Sequence, residues 1–321
     1  MVTTEIYANT LAKQNEGRLL GTEKLRRIAD SDDIGSAVKM LVDYGYGDSK
    51  AIENSFDADG VIRAETERLI SFIEEECPNE NLAAVLLARF VYNNAKARYK
   101  FKVGAKRDFK ALYAVDKDYS VGIDNADYGV MPEPMRAAAE KLDAMSLAAP
   151  VTSAQIDSAF TVAMFEDMTA AAKKCGKSVK KYVAAKIDFT NFTAAFRLMR
   201  FKIKPESDMF VSGGTVKTED IICAADSGME NFAENFADTV YFDALKKVSS
   251  VGFDALPAFE SDAEREAVSY FGSDLENMTG DAPLLHYYAA ALDEYKTVKT
   301  VLTCIRGNAK SEIAKRVRWS D

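Results

Sequence analysis

Five apolar residues, Phe192, Ala195, Phe196, Met199 and Ile203, recur at i, i+3, i+4, i+7 and i+11. That spacing commits the segment Asn191–Ile203 to an α-helix with one buried face, and it leaves Arg197, Arg200 and Lys202 off the stripe. A second stripe, Tyr288, Ala291, Leu292, Tyr295, Val298, Leu302 and Ile305, keeps helical spacing up to a stop at Gly307. Two further helices are predicted, from Pro134 to about Met145 and through Ile156–Met168 behind a cap at Thr152 or Ser153. Strict alternation of apolar and polar residues is hard to find. The composition agrees, with 47 alanines against 17 glycines and 7 prolines in 321 residues. Breakers cluster at Gly122 to Pro134, Gly213-Gly214 and Gly252 to Pro257, as short loops between helices.

The strongest helices also recur. Segments around Asn94, Asn191 and Thr297 each end a third of the chain, at intervals of 97 and 106 residues. The expected fold is therefore all-α, built from three similar helical bundle domains at 1–115, 116–212 and 213–321.

The charge balance narrows the partners. With 41 basic and 50 acidic residues the chain carries −9 at pH 7, which argues against a broad footprint for nucleic acid or anionic lipid. The longest apolar run, Leu82–Ala88, is too short to span a bilayer, so no direct membrane span is expected. Residues Met1–Glu5 lack a basic flank before an apolar stretch, so no secretory signal is expected. Cys77, Cys175, Cys223 and Cys304 are far apart and form no C-x-x-C pair, which fits buried thiols in a reducing compartment. A cytoplasmic location follows.

Motifs that would carry chemistry fail on inspection. Gly176-Lys177-Ser178 resembles the end of a phosphate loop, but Ala171 stands where its first glycine belongs and no strand precedes it, so it reads as a glycine-capped helix end. Gly45-Tyr46-Gly47 lacks the third glycine of a dinucleotide motif and reads as a turn. His286, the one histidine, sits on a predicted helix and reads as packed. Carboxylates such as Asp293-Glu294 and Glu74-Glu75-Glu76 are adjacent in sequence and point in different directions, which suits solvation better than shared acid–base work. No catalytic residue, metal ligand or cofactor is expected. Trp319 reads as a tail anchor or a docking residue.

The residues do resemble a known family. Tyr7, Glu16, Arg18, Leu19 and Leu20, followed by Leu41-Val42-Asp43-Tyr44-Gly45-Tyr46-Gly47, look like the opening of the C-type subunits of V-type and A-type rotary ATPases, whose eukaryotic vacuolar counterpart is the d-type subunit. Asn94-Ala95-Lys96 is similar to an N-L-K signature of that family, and Ile187–Asn191 through Arg197 continues the match. Glu294-Tyr295-Lys296-Thr297-Val298-Lys299-Thr300-Val301-Leu302 resembles a closing E-x-K-x-x-R-x-I-L, with Lys299 where Arg is usual. Phe90 and Val91 replace the usual acidic and aromatic pair ahead of Asn94. The resemblance implies three helical domains arranged as a funnel. It also implies a non-catalytic rotor socket, joining the central axle subunits (D and F type) to the membrane proteolipid ring for proton or sodium transport, at the membrane periphery. A helical adaptor unrelated to ATPases and an all-helical, carboxylate-dependent hydrolase are the alternatives.

For such a socket, basic residues near the ends of the repeat helices are the candidate contacts. They are Lys96, Arg98, Lys100 and Lys102; Arg197, Arg200 and Lys202; and Arg306, Lys310, Lys315, Arg316 and Arg318. Arg197, Arg200 and Lys202 are the expected partner interface. Solvation and favourable placement near helix C-termini would also account for them.

Overall fold

A computed structural model describes residues 2–47, 58–104, 113–260, 279–317 and 319. Within them the chain is all-α, with no strand. The helices are α1 (Val2–Glu16), α2 (Gly21–Ala29), α3 (Ile34–Asp43), α4 (Ala58–Glu76), α5 (Glu80–Lys102), α6 (Ser120–Asn125), α7 (Glu133–Ser146), α8 (Ser153–Ala172), α9 (Lys177–Phe201), α10 (Thr218–Asp226), α11 (Met229–Phe232), α12 (Phe242–Val251), α13 (Ala282–Arg306) and α14 (Ile313–Arg316).

Local chemistry sets the boundaries. Thr152 and Gln155 form a reciprocal capping box at the start of α8, satisfying two donors that a helix N-terminus otherwise leaves free. Helix α7 opens with proline in its first turn, where no amide hydrogen is needed. Lys202 adopts a left-handed conformation (φ 55) and stops α9. This stop corrects the sequence stripe at its end: Phe192, Ala195 and Phe196 are fully buried, whereas Ile203 lies beyond the cap and is exposed.

Among the described residues the apolar side chains gather into three cores. The first combines α1 to α4, the N-terminal half of α5 (Leu82–Phe90), the C-terminal half of α8, the N-terminal half of α9 (Val179–Ile187) and α13. The second joins the C-terminal half of α5 (Tyr92, Ala95, Tyr99) to α6, α7 and the start of α8. The third joins the C-terminal half of α9 (Phe189–Phe196) to α10, α11, α12 and Phe259. Helices α5, α8 and α9 thus each pass from one core into another, so their apolar faces change direction along their length.

The third core is aromatic. Phe196 is fully buried, with its ring centroid 4.7 Å from that of Phe232 and 5.7 Å from that of Phe259. Phe196→Ala is expected to destabilise the protein by roughly 3–5 kcal/mol, through lost transfer energy plus the cavity left between these rings. Urea titration reads this out, and a loss below about 1 kcal/mol would mean that the core refills.

The cysteines depart from the expectation of uniform burial. Cys175 and Cys304 are buried and Cys77 is partly so, but Cys223 is exposed, because the short helix α10 turns it away from Ile221 and Ala224 on its core face. Trp319 does anchor the tail, packed on the first core with the Arg26 guanidinium 5.8 Å from its ring centre.

Candidate functional site

The starts of the three longest helices meet. Asn79 caps α5 by accepting from the amides of Asn81 and Leu82, and its side-chain amide donates to Asp281 Oδ1 at 3.0 Å. Gly176, the cap residue of α9, donates its backbone N–H to Asp281 Oδ2 at 2.8 Å, and Asp281 itself precedes α13. One carboxylate therefore bridges three positive helix ends that would otherwise repel. The residue read as a glycine cap does end up at a helix boundary, but at the start of α9. A side chain there would crowd Asp281, since a Cβ on Gly176 would lie 3.2 Å from Oδ2.

Further along the same helices, polar landmarks perform matching tasks. Asn94 on α5 donates to Tyr113 O (2.8 Å) and accepts from Tyr113 N (3.0 Å). Asn191 on α9 does the same to Val211 (2.8 Å each). Both asparagines are fully buried and clamp the chain that follows their helix. The third landmark, Thr297 on α13, is buried but carries no such amide.

Three residues before Asn191 and Thr297 sit two buried carboxylates, Asp188 and Glu294. Asp188 accepts from Thr215 N (2.9 Å), Val216 N (3.1 Å), the Thr215 hydroxyl and the Tyr241 hydroxyl (2.8 Å). Glu294 accepts from Leu20 N (2.7 Å), Gly21 N (3.2 Å) and the Tyr46 hydroxyl. In both cases the tyrosine follows the first amide donor by 26 residues. The N-terminal segment thus supplies to α13 what residues 215–241 supply to α9. Burial raises both carboxyl pKa values, against the hydrogen bonds that lower them. The expectation that Asp293-Glu294 is a solvated pair is corrected at Glu294, because a chain segment far away in sequence covers it. At the corresponding place on α5 stands Val91.

The candidate contact residues divide sharply. The first basic group is spent inside the protein. Lys96 and Lys100 reach Asp157 (3.4 and 2.6 Å), Arg98 pairs with Asp124, and Lys102 lies 3.8 Å from Asp143 and over the rings of Tyr99 and Tyr128. These pairs fasten α5 to α6, α7 and α8, so the expectation of a free basic patch there is corrected. In the last group, Arg306 meets Asp59 (3.3 Å) and Lys315 meets Glu312 (2.9 Å), while Arg318 lies outside the described residues. At the end of α9, Arg197 pairs with Glu260 (2.8 Å). Arg200 and Lys202 have no ion pair among the described residues, and between and beside them Phe201 is 69% and Ile203 48% exposed. The structure therefore brings Arg200 and Lys202 together on one tip with two exposed apolar side chains, and turns Arg197 toward the neighbouring chain segment.

His286 is half-packed and bonded to Glu16 Oε1 at 2.6 Å, tying α13 to α1. Burial pushes the Glu16 carboxyl up, but hydrogen bonds from His286 and Lys13 outweigh it and leave the pKa below the usual value. Among the described residues no cluster of three or more His, Cys, Asp or Glu could hold a metal ion, and no helix is long and apolar enough to cross a membrane.

Residues 8–316 match the family described as ATP synthase (C/AC39) subunit. The chain belongs to that family. The C/AC39 match runs from within α1 to the end of α14, so it takes in all three long helices, their shared junction at Asp281, and the closure of α13 by the N-terminal segment. Among curated proteins none matches the chain with significant similarity. Membership makes the protein a subunit of a V/A-type rotary ATPase.

Proposed function

We propose that this C/AC39 protein is a non-catalytic part of the central rotor, joining the axle subunits of the soluble head (D and F type) to the proteolipid ring in the membrane. It would act at the cytoplasmic face, peripheral to the membrane, and take part in proton or sodium transport. The observation that carries the reading is the family match over nearly the whole chain. The polar chemistry supports it: the buried carboxylates Asp188 and Glu294 and the junction carboxylate Asp281 are occupied by backbone and side-chain donors of this same chain, an arrangement suited to bearing load. We further propose three units, 1–115, 116–212 and 213–321, around a funnel. Each contains one of the helices α5, α9 and α13, and the first two end just after the segment that their asparagine clamps.

For a socket that transmits torque, polar contacts resist tangential slip better than an apolar plug alone. Within the expected interface of Arg197, Arg200 and Lys202, the latter two are the partner contacts, and Arg197 steadies the tip through Glu260. Reversing Arg200 and Lys202 to Glu in the full chain should weaken association with isolated axle subunits or with the ring by roughly tenfold and flatten its salt dependence. Unchanged affinity and salt slope toward both partners, in a variant with wild-type circular dichroism, would remove the tip from the interface.

A further inference from the structure

The turn between α8 and α9 carries five lysines in nine residues: Lys173, Lys174, Lys177, Lys180 and Lys181. All five are exposed, and among the described residues none is in an ion pair. This sets them apart from the lysines of α5, which are neutralised by Asp157 and Asp143. Lys177, Lys180 and Lys181 stand at i, i+3 and i+4, on one face of α9, and Lys173 and Lys174 close α8 just before it. The apolar residues of the same stretch, Ala172, Cys175 and Val179, are buried, so the outward surface is made of ammonium groups. Asp281, the carboxylate that approaches this turn, is engaged with Gly176 N and Asn79.

Two features call for an explanation. Lys177, Lys180 and Lys181 occupy the first turn or so of α9, where the helix dipole disfavours cations, and no acidic residue shares that turn. Favourable placement near a helix C-terminus, which accounts for Lys173 and Lys174, therefore does not account for these three. The choice of residue is also informative. Protein interfaces favour arginine and aromatic anchors and are depleted in lysine, whereas this patch has five lysines and no exposed aromatic or large aliphatic side chain.

We propose that the α8–α9 turn is an electrostatic contact for an anionic lipid surface, lying against headgroups without inserting. A cluster of four to eight cations fits that chemistry, each lysine near such a surface contributing about fivefold in partitioning. The chain's overall charge of −9 does not forbid it. Screening confines each charge to about 10 Å at 0.1 M salt, so the local patch decides the contact. The inference rests on the lysine geometry alone and not on the socket reading, so the isolated chain tests it.

The experiment is co-sedimentation with vesicles of phosphatidylcholine, with and without phosphatidylglycerol, at low and high salt. The wild-type chain should bind the anionic vesicles at low salt, release them at high salt, and ignore the neutral ones. Replacing all five lysines by Gln should lower partitioning by up to about three-thousandfold, one factor of about five for each lysine. Replacing five exposed lysines elsewhere (Lys39, Lys141, Lys217, Lys246 and Lys247) changes the net charge equally and should lower it far less. Equal loss in the two variants, or no anionic preference in the wild type, would overturn the proposal. So would a five-lysine variant that binds vesicles normally yet no longer associates with solubilised ATPase subunits, since the patch would then be a protein contact.

Discussion

Asp188→Ala is expected to cost about 3–5 kcal/mol of stability, because it removes the acceptor shared by two part-buried backbone amides and a buried tyrosine hydroxyl, with roughly 1–3 kcal/mol at stake in each bond before relaxation. The amides are those of Thr215 and Val216, and the hydroxyl is that of Tyr241. The loss should concentrate in the third core, since Tyr241 packs there with its ring 5.4 Å from both Phe189 and Phe192. Asp188→Asn keeps one carbonyl acceptor and should fall between wild type and the alanine variant. The loop is shaped around this carboxylate: a Cβ on Gly214 would collide with Asp188 Oδ1, and Gly213 holds a positive φ of 102. Urea denaturation followed by tyrosine fluorescence and by circular dichroism gives the comparison. If Asp188→Ala loses less than about 1 kcal/mol, water replaces the carboxylate and the node does not hold the lobe.

How much of this was legible in the sequence depended on whether the cause was local. Helical spacing is local, so the stripes through Phe196 and through Tyr288 to Ile305 were readable; the second is buried throughout and the first from Phe192 to Phe196. The break after Phe201 was not readable, because the left-handed cap falls on Lys202, a residue with no turn preference of its own. Asn94 and Asn191 were legible as landmarks from their spacing, but their role as clamps depends on Tyr113 and Val211, roughly twenty residues on. Glu294 was misread for the same reason on a larger scale. Beside Asp293 it has the look of a solvated pair, and only the arrival of Leu20, Gly21 and Tyr46 from the other end of the chain buries it. Charge was the hardest feature to read. Lys96, Lys100 and Lys102 looked no different from Arg200 and Lys202 in sequence, and only Asp157 and Asp143 on neighbouring helices separate structural from available cations. The family resemblance covered these gaps because it draws on the whole chain, and residues 8–316 bear it out.

The largest functional effect is expected from removing the protein altogether. If the chain is the proposed rotor joint, without chemistry of its own, its absence should leave the head able to hydrolyse ATP while breaking the mechanical path to the ring. The direct measurement uses membrane vesicles from cells with and without this chain, assayed in parallel for ATP hydrolysis and ATP-driven ion uptake, together with the subunit content of the complex extracted in detergent. Without the chain, ion uptake is expected to fall to background while hydrolysis by the head persists. Head and proteolipid ring should no longer co-purify, and purified wild-type chain should restore both uptake and assembly. Full ATP-driven uptake by an intact head–ring complex lacking this chain would contradict the rotor-joint role.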